Sequence, residues 1–154
     1  MLNDVSIDGE IFDKSYFSYG EDIDLAWRSY IFGWRCRYEP NARARHIGSG
    51  ASDGQIRFWD KPLFLQRHIL SNRFLTLVKN AAWSELFILI PYWLIIEPLV
   101  WLTFLMRNPY KFISLIPVWA SIFRKLPRAL KWRRIIQSRR MVKPLSSLKH
   151  FVWY

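Results

Sequence analysis

The most informative stretch of this 154-residue chain is Tyr19-Gly20-Glu21-Asp22-Ile23-Asp24-Leu25-Ala26-Trp27-Arg28. Apolar residues recur from there at intervals of three and four, namely Ile23, Trp27, Tyr30 and Ile31. This spacing predicts a helix with one face against a core, and Gly33 is expected to end it. Unpaired backbone N–H groups and the helix dipole favour negative charge in the first turn, so the carboxylates there should stay ionised.

The acidic residues of this helix separate into two kinds. Asp24 and Arg28 are four positions apart and can pair along the helix. Asp22 is rotated by about 200° from Asp24 around the helix axis, so it points elsewhere. We therefore predict that Asp24 is a structural acid and that Asp22 is free to act as a base.

Two short segments with alternating side chains follow, at 35–39 and 42–46, and predict strands. His46 would share a face of the second strand with two alanines, which leave room for its imidazole to reach a ligand. The turn that follows, Gly48-Ser49-Gly50, allows close approach of the backbone. Cys36 lies at a strand position and predicts a buried, inert thiol, since a single cysteine excludes an internal disulfide.

These segments resemble the C-terminal half of a bacterial family 2 glycosyltransferase, closest to the rhamnosyltransferase-like members that build surface polysaccharide. The resemblance rests on the residues and spacing of 9–13, 16–28, 33–40 and 46–50, and covers residues 1–80 closely. It implies the GT-A fold, a nucleotide-binding α/β sandwich. It also implies transfer of a sugar, with inversion, from a nucleotide-diphosphate donor to a growing glycan or lipid-linked acceptor.

The resemblance also implies roles for individual residues. Asp22 matches the catalytic base, with Glu21 beside it shaping the local field. His46 matches a ligand to the Mg²⁺ or Mn²⁺ ion that offsets charge on the leaving diphosphate. The candidates for substrate binding are Tyr19, Ser49, Gly50 and Arg73.

One departure from the family is large. The strand-helix-strand units that bind the nucleotide, and an Asp-x-Asp metal motif, would precede Met1. We therefore expect residues 1–82 to form the C-terminal part of a GT-A catalytic domain, with an incomplete metal site. Such a fragment is expected to be inactive alone, and sugar transfer by the purified chain would contradict this expectation.

The rest of the chain has a different composition. Asp60 and Pro62 predict the start of a helix that runs to about Asn80. We assign residues 83–126 to hydrophobic, membrane-associated helices and residues 127–154 to a basic amphipathic tail. Leu86–Met106 carries Glu97 as its one charge and, as a helix, would be about 31 Å long, the thickness of a bilayer's hydrocarbon core.

The charge distribution bears on how this region meets a membrane. The formal net charge is +11, and residues 107–154 contain twelve basic and no acidic residues. A single span would carry these bases away from the cytoplasm, against the positive-inside tendency. Pro91 and Pro98 also interrupt the helical hydrogen bonds. We therefore favour a broken hairpin or in-plane helices at the cytoplasmic face of a bacterial inner membrane, with the basic tail on anionic lipid.

Two other functions fit parts of the sequence. One is a non-catalytic membrane-binding module that has lost catalysis. The other is nucleic-acid binding, since basic charge with interleaved tryptophan can contact phosphates and stack on bases. No recognised nucleic-acid motif supports the second, so no nucleic-acid partner is expected.

Overall fold

The computed structural model describes residues 1–44, 58–107, 109–113 and 115–146. Within these ranges the regular structure is helical. The α-helices are α1 (Leu2–Val5), α2 (Glu21–Ile31), α3 (Leu63–Asn80), α4 (Trp83–Arg107), α5 (Pro109–Ile113) and α6 (Ile116–Ser138), with short 3₁₀ turns at Lys14–Tyr16 and Phe58–Asp60.

The predicted fold class, an α/β GT-A type domain, is wrong for this structure. The described residues contain no strand, and their single β-type contact is an isolated antiparallel bridge between Ile7 and Glu10. Residues 35–39, predicted as a strand, have no regular structure and are exposed. A strand needs a neighbour to satisfy its backbone N–H and C=O groups, and no described segment pairs with this one. Cys36 is accordingly exposed, so the predicted burial of its thiol is also wrong.

Helix α2 forms where the sequence predicts it. Gly20 precedes it with φ of 89°, and Gly33 follows it with φ of 87°, a conformation that glycine adopts without strain. Trp27 and Ile31 are buried, as the apolar spacing predicts. Ile23 is 52% exposed, so the first position of that predicted stripe does not reach the core.

Helices α3 and α6 lie side by side and run in the same direction. Leu70 and Phe74 of α3 share a buried cluster with Val118 and Ile122 of α6, and further along Ala81 shares another with Trp132 and Ile136. The C-terminal carbonyls of α3 accept hydrogen bonds from α6 and its C-terminal neighbour. The donors are Arg133, to the carbonyls of Val78 and Ala81 at 2.6 Å each, and Gln137 and Arg140, to the carbonyl of Asn80 at 2.9 and 2.6 Å. These bonds satisfy acceptors that a helix leaves unpaired at its end, and two of the donors are cationic, as the helix dipole favours.

Helix α4 turns back along α3. Trp93 packs on Phe74 with ring centroids 4.1 Å apart, and near the end of α4 Phe104 packs on Trp59, just before α3, at 4.7 Å. The two helices are therefore antiparallel, and these contacts involve α4 from Trp93 to Phe104. Glu85 caps the start of α4 by accepting the N–H of Ala82, and the helix continues through both internal prolines. Helix α6 likewise continues through Pro127.

Candidate functional site

The turn before α2 has an unusual backbone. Phe17 and Tyr19 have φ values of 64° and 66°, a left-handed conformation that costs L-residues of order 1 kcal/mol or more. Gly20 follows in the same region. Three such residues within four positions reverse the chain and direct it into the acidic first turn of α2.

Asn72 holds this turn in place. The side chain is buried, and its Nδ2 lies 3.0, 3.0 and 2.8 Å from the carbonyl oxygens of Tyr16, Ser18 and Tyr19. An amide has two N–H groups, so one of them is shared between two of these carbonyls. Nearby, the Tyr16 hydroxyl lies 2.8 Å from the Thr76 hydroxyl. The conformation that leads into α2 is therefore fixed by α3.

The anchored turn presents two carboxylates in different environments. Asp22 is exposed, and its Oδ1 accepts the N–H of Ile23 at 2.8 Å. Glu21 is half-buried, and its Oε2 is enclosed without a hydrogen-bond partner among the described residues. The placement of Asp22 agrees with the prediction of a free acid at the start of the helix. An exposed carboxylate on a fixed backbone can accept a proton from a bound hydroxyl group.

Asp24 is a buried structural acid, as predicted, but its partner is not Arg28. Lys79 is fully buried, and its Nζ lies 3.0 Å from Asp24 Oδ2 and 2.8 Å from Asp13 Oδ2. Asn80 also donates to Asp24 Oδ1 at 2.7 Å. Arg28 instead donates to the carbonyl of Ile11 at 2.5 Å. Together Asp13, Asp24 and Lys79, which we call the buried triad, tie residues 1–40, the N-terminal segment, to α3.

The triad predicts sensitivity to acid. Burial alone would raise the pKa of Asp13, but the adjacent Lys79 ammonium outweighs it and lowers the pKa from 3.8 to about 2. Because the folded pKa is below the unfolded value, this stabilisation is complete above about pH 4 and is lost as pH falls towards 2. We expect a loss of about 2 kcal/mol over that interval. Urea unfolding followed by tryptophan fluorescence at pH 6, 4, 3 and 2 measures it, and Asp13→Asn should flatten the profile. An equal pH slope in both proteins would contradict the assignment.

Trp132 of α6 packs against the buried triad and the arginines beside it. It is fully buried, and three cationic groups lie over its ring: Arg28, Lys79 and Arg128, at 5.1, 4.9 and 4.9 Å from the centroid. Arg128 also contacts Glu10 and Asp13 at 2.7 and 3.1 Å. The cationic groups are thus balanced by carboxylates as well as by the ring.

Of the other predicted site residues, only Tyr19 lies in the turn that precedes α2. Tyr19 is in the anchored turn, where its hydroxyl accepts from Lys61 at 3.0 Å. Arg73 points away from it and pairs with Glu97 of α4 at 2.5 Å, which makes it an anchor between helices. His46, Ser49 and Gly50 lie outside the described residues.

The predicted metal site is not assembled by the described part of the chain. No three histidine, cysteine, aspartate or glutamate side chains within it form a group that could hold a metal ion. Glu21 and Asp22 offer oxygen atoms of the kind that Mg²⁺ and Mn²⁺ prefer, but two adjacent acids are not a complete site. The described residues therefore do not fit the ion by themselves.

Sequence reasoning missed the polar residues of α3 that organise the site. Asn72, Thr76, Lys79 and Asn80 are all buried and face the N-terminal segment. Their spacing of four, three and one places them on one side of a helix. That pattern was available in the sequence, but a polar stripe on a helix ordinarily faces solvent.

Comparison of the chain with protein-family models, curated proteins and solved structures found no significant match. The resemblance to family 2 glycosyltransferases therefore stays a prediction from sequence motifs.

Proposed function

We propose that this chain is the acceptor-side part of a membrane-attached, inverting sugar transferase at the cytoplasmic face of a bacterial inner membrane. In this proposal Asp22 accepts the proton of an acceptor hydroxyl group. The hydroxyl oxygen forms a bond to the anomeric carbon of the donor sugar, and the bond from that carbon to the nucleotide diphosphate breaks. The products are the extended glycan or lipid-linked sugar and the released nucleotide diphosphate.

The observation that carries the proposal is the anchoring of the Phe17–Gly20 turn by Asn72. Strained backbone persists where the surroundings hold it, and it is concentrated at functional sites. Here it precedes two carboxylates, of which one is exposed and uninvolved in the core. A general base must be held within hydrogen-bond reach of the proton that it removes, and a fixed turn provides this.

The two aspartates of this turn differ in what they contact. Asp22 lies in the first turn of α2 with its side chain exposed. Asp24, two positions later, is committed to the buried triad. We assign donor and metal binding to residues outside the described ranges, in this chain or in a partner. His46 remains the candidate ligand.

Substitution of Asp22 tests the proposal. Membranes from cells that produce the chain are incubated with a panel of tritiated nucleotide-diphosphate hexoses and 6-deoxyhexoses, and label in lipid and glycan is followed over time. Asp22→Asn should lower the initial rate with the accepted donor by about a hundredfold, the usual contribution of a general base. Glu39→Gln, an exposed acid outside the turn, should leave the rate unchanged.

Protein amounts are compared by immunoblot. More than a tenth of the normal rate in Asp22→Asn would exclude Asp22 as the base. If membranes from the chain's own organism, which supply any partner, transfer no more sugar with the chain than without it, the transferase assignment is wrong. The non-catalytic membrane module would then be the better function, since exposed apolar residues on α4 support membrane attachment independently.

A further inference from the structure

Helix α4 exposes an apolar surface along its whole length. Its hydropathy and its 25 residues, about 37 Å, are those of a membrane-spanning helix. Only Glu85, Leu89 and Phe104 of this helix are buried. Ile88, Ile95 and Leu102 mark the middle of the outer face, seven residues apart, and are 46%, 62% and 49% exposed. A soluble core helix would have most of its residues buried, so lipid is the environment that suits this surface.

The helices beside α4 limit how it can meet a bilayer. α3 is antiparallel to α4 and contacts it through the Phe74–Trp93 rings and the Arg73–Glu97 ion pair. Trp59, just before α3, packs on Phe104 near the end of α4, so α4 follows α3 and the turn before it over about three helical turns. The N-terminal segment follows α3 in turn, from the Tyr19–Lys61 contact to the buried triad. If α4 stood across the membrane, this segment would lie at the depth of the hydrocarbon.

Placing the N-terminal segment at the depth of the hydrocarbon would bury charged side chains in lipid. Asp22 and Lys14 are exposed on the N-terminal segment, and Lys61 lies at the start of α3. A charged side chain near the bilayer centre strongly opposes insertion. With α4 parallel to the membrane plane, its outer face meets lipid while the N-terminal segment, on a different side of α3, remains in water.

Helix α6 extends the same surface. Its exposed apolar residues follow helical spacing and are Ile116, Trp119, Phe123 and Leu130. Trp119 contacts Trp101 of α4, with ring centroids 6.0 Å apart, so this stripe adjoins α4. Arg124 and Arg134 are exposed beside it. Bases along an apolar stripe are typical of a helix that lies at an anionic membrane surface.

We propose that α4 lies in the plane of one leaflet of an anionic bilayer, with α6 beside it, rather than across the membrane. The acyl region receives the outer face of α4 and the apolar stripe of α6, and Arg124 and Arg134 contact lipid phosphates. Neither the orientation nor its test requires sugar transfer, so failure here and failure of the proposed transferase are distinguishable.

Depth measurements distinguish the two orientations. In a Cys36→Ser background, single cysteines replace Ile88, Ile95 and Leu102 and carry an environment-sensitive fluorophore. The protein is bound to vesicles of phosphatidylcholine with one-third phosphatidylglycerol that contain lipids with nitroxides at shallow or deep acyl positions. We expect three similar depths. In a spanning helix the probe at 95 would be deeper than the others by about 10 Å, from a rise of 1.5 Å per residue.

Two controls test whether the N-terminal segment stays in water and whether the arginines of α6 bind anionic lipid. A probe at Tyr38, exposed on the N-terminal segment, should not be quenched. The double variant Arg124→Glu and Arg134→Glu should bind these vesicles at least roughly tenfold more weakly and pure phosphatidylcholine about equally. A deep probe at 95 alone, absence of quenching at all three helix positions, or unchanged binding by the charge-reversed variant would each overturn the proposal.

Discussion

Replacing Lys79 with methionine should destabilise the protein by about 3–5 kcal/mol, because it leaves the buried Asp24 without its ion-pair partner and Asp13 with Arg128 alone. Lys79 is fully buried and contacts both Asp13 and Asp24. Methionine fills a similar volume, so the loss reports charge and hydrogen bonding more than packing. The measurement is the midpoint of urea unfolding at pH 7, with vesicles present in all samples.

A compensated variant provides the matched control. Lys79→Met combined with Asp13→Asn and Asp24→Asn removes all three charges of the buried triad together. Breaking a buried ion pair costs much more than replacing it with neutral groups of similar shape. The triple variant should therefore recover much of the stability that the single variant loses. If the triple variant is less stable than Lys79→Met, the two carboxylates are not the reason for the lysine.

Replacing Trp132 with alanine should cost a similar 3–5 kcal/mol. The ring is fully enclosed between α3 and the N-terminal segment, in the cluster that contains Trp27, Ile31 and Ile136. Its removal creates a cavity and also takes away the aromatic face that the three cationic groups approach.

Unfolding midpoints of three variants test this. Trp132→Phe keeps an aromatic ring and should cost less than Trp132→Ala, while Tyr38→Ala, at an exposed position, should change stability by less than about 0.5 kcal/mol. A loss below 1 kcal/mol for Trp132→Ala would mean that the ring is not enclosed as described.

The helices could be predicted from the sequence because the patterns that indicate them lie within each helix or next to its ends. The acidic first turn and Gly33 bound α2 correctly, and the predicted end of α3 near Asn80 agrees with the structure. The apolar run from Leu86 to Met106 lies within α4. Prolines 91 and 98 do not end it, since neighbouring contacts can compensate for missing hydrogen bonds within a long helix.

The errors concern pairings between distant parts of the chain. Alternation at 35–39 is compatible with a strand, but whether a strand forms depends on a neighbour that local sequence does not specify. Spacing within α2 suggested Arg28 as the partner of Asp24, whereas the true partner, Lys79, is 55 positions later. In the candidate site, Asp22 was identified from its place in a helix, but Asn72 was not, because its role depends on carbonyls more than fifty residues away.

The capping of α3 by α6 has a consequence for biosynthesis. Arg133 and Gln137 satisfy the last carbonyls of α3, and the Arg128–Asp13 and Arg139–Asp4 contacts join positions 115 and 135 residues apart. While the ribosome is still translating the segment before α6, the nascent N-terminal region has neither these caps nor the ring of Trp132 over its cations. The N-terminal segment therefore gains its contacts with α6 only after α6 has been translated, and a chain that stops before α6 would leave the apolar α4 without this neighbour and exposed to the cell's quality-control proteases.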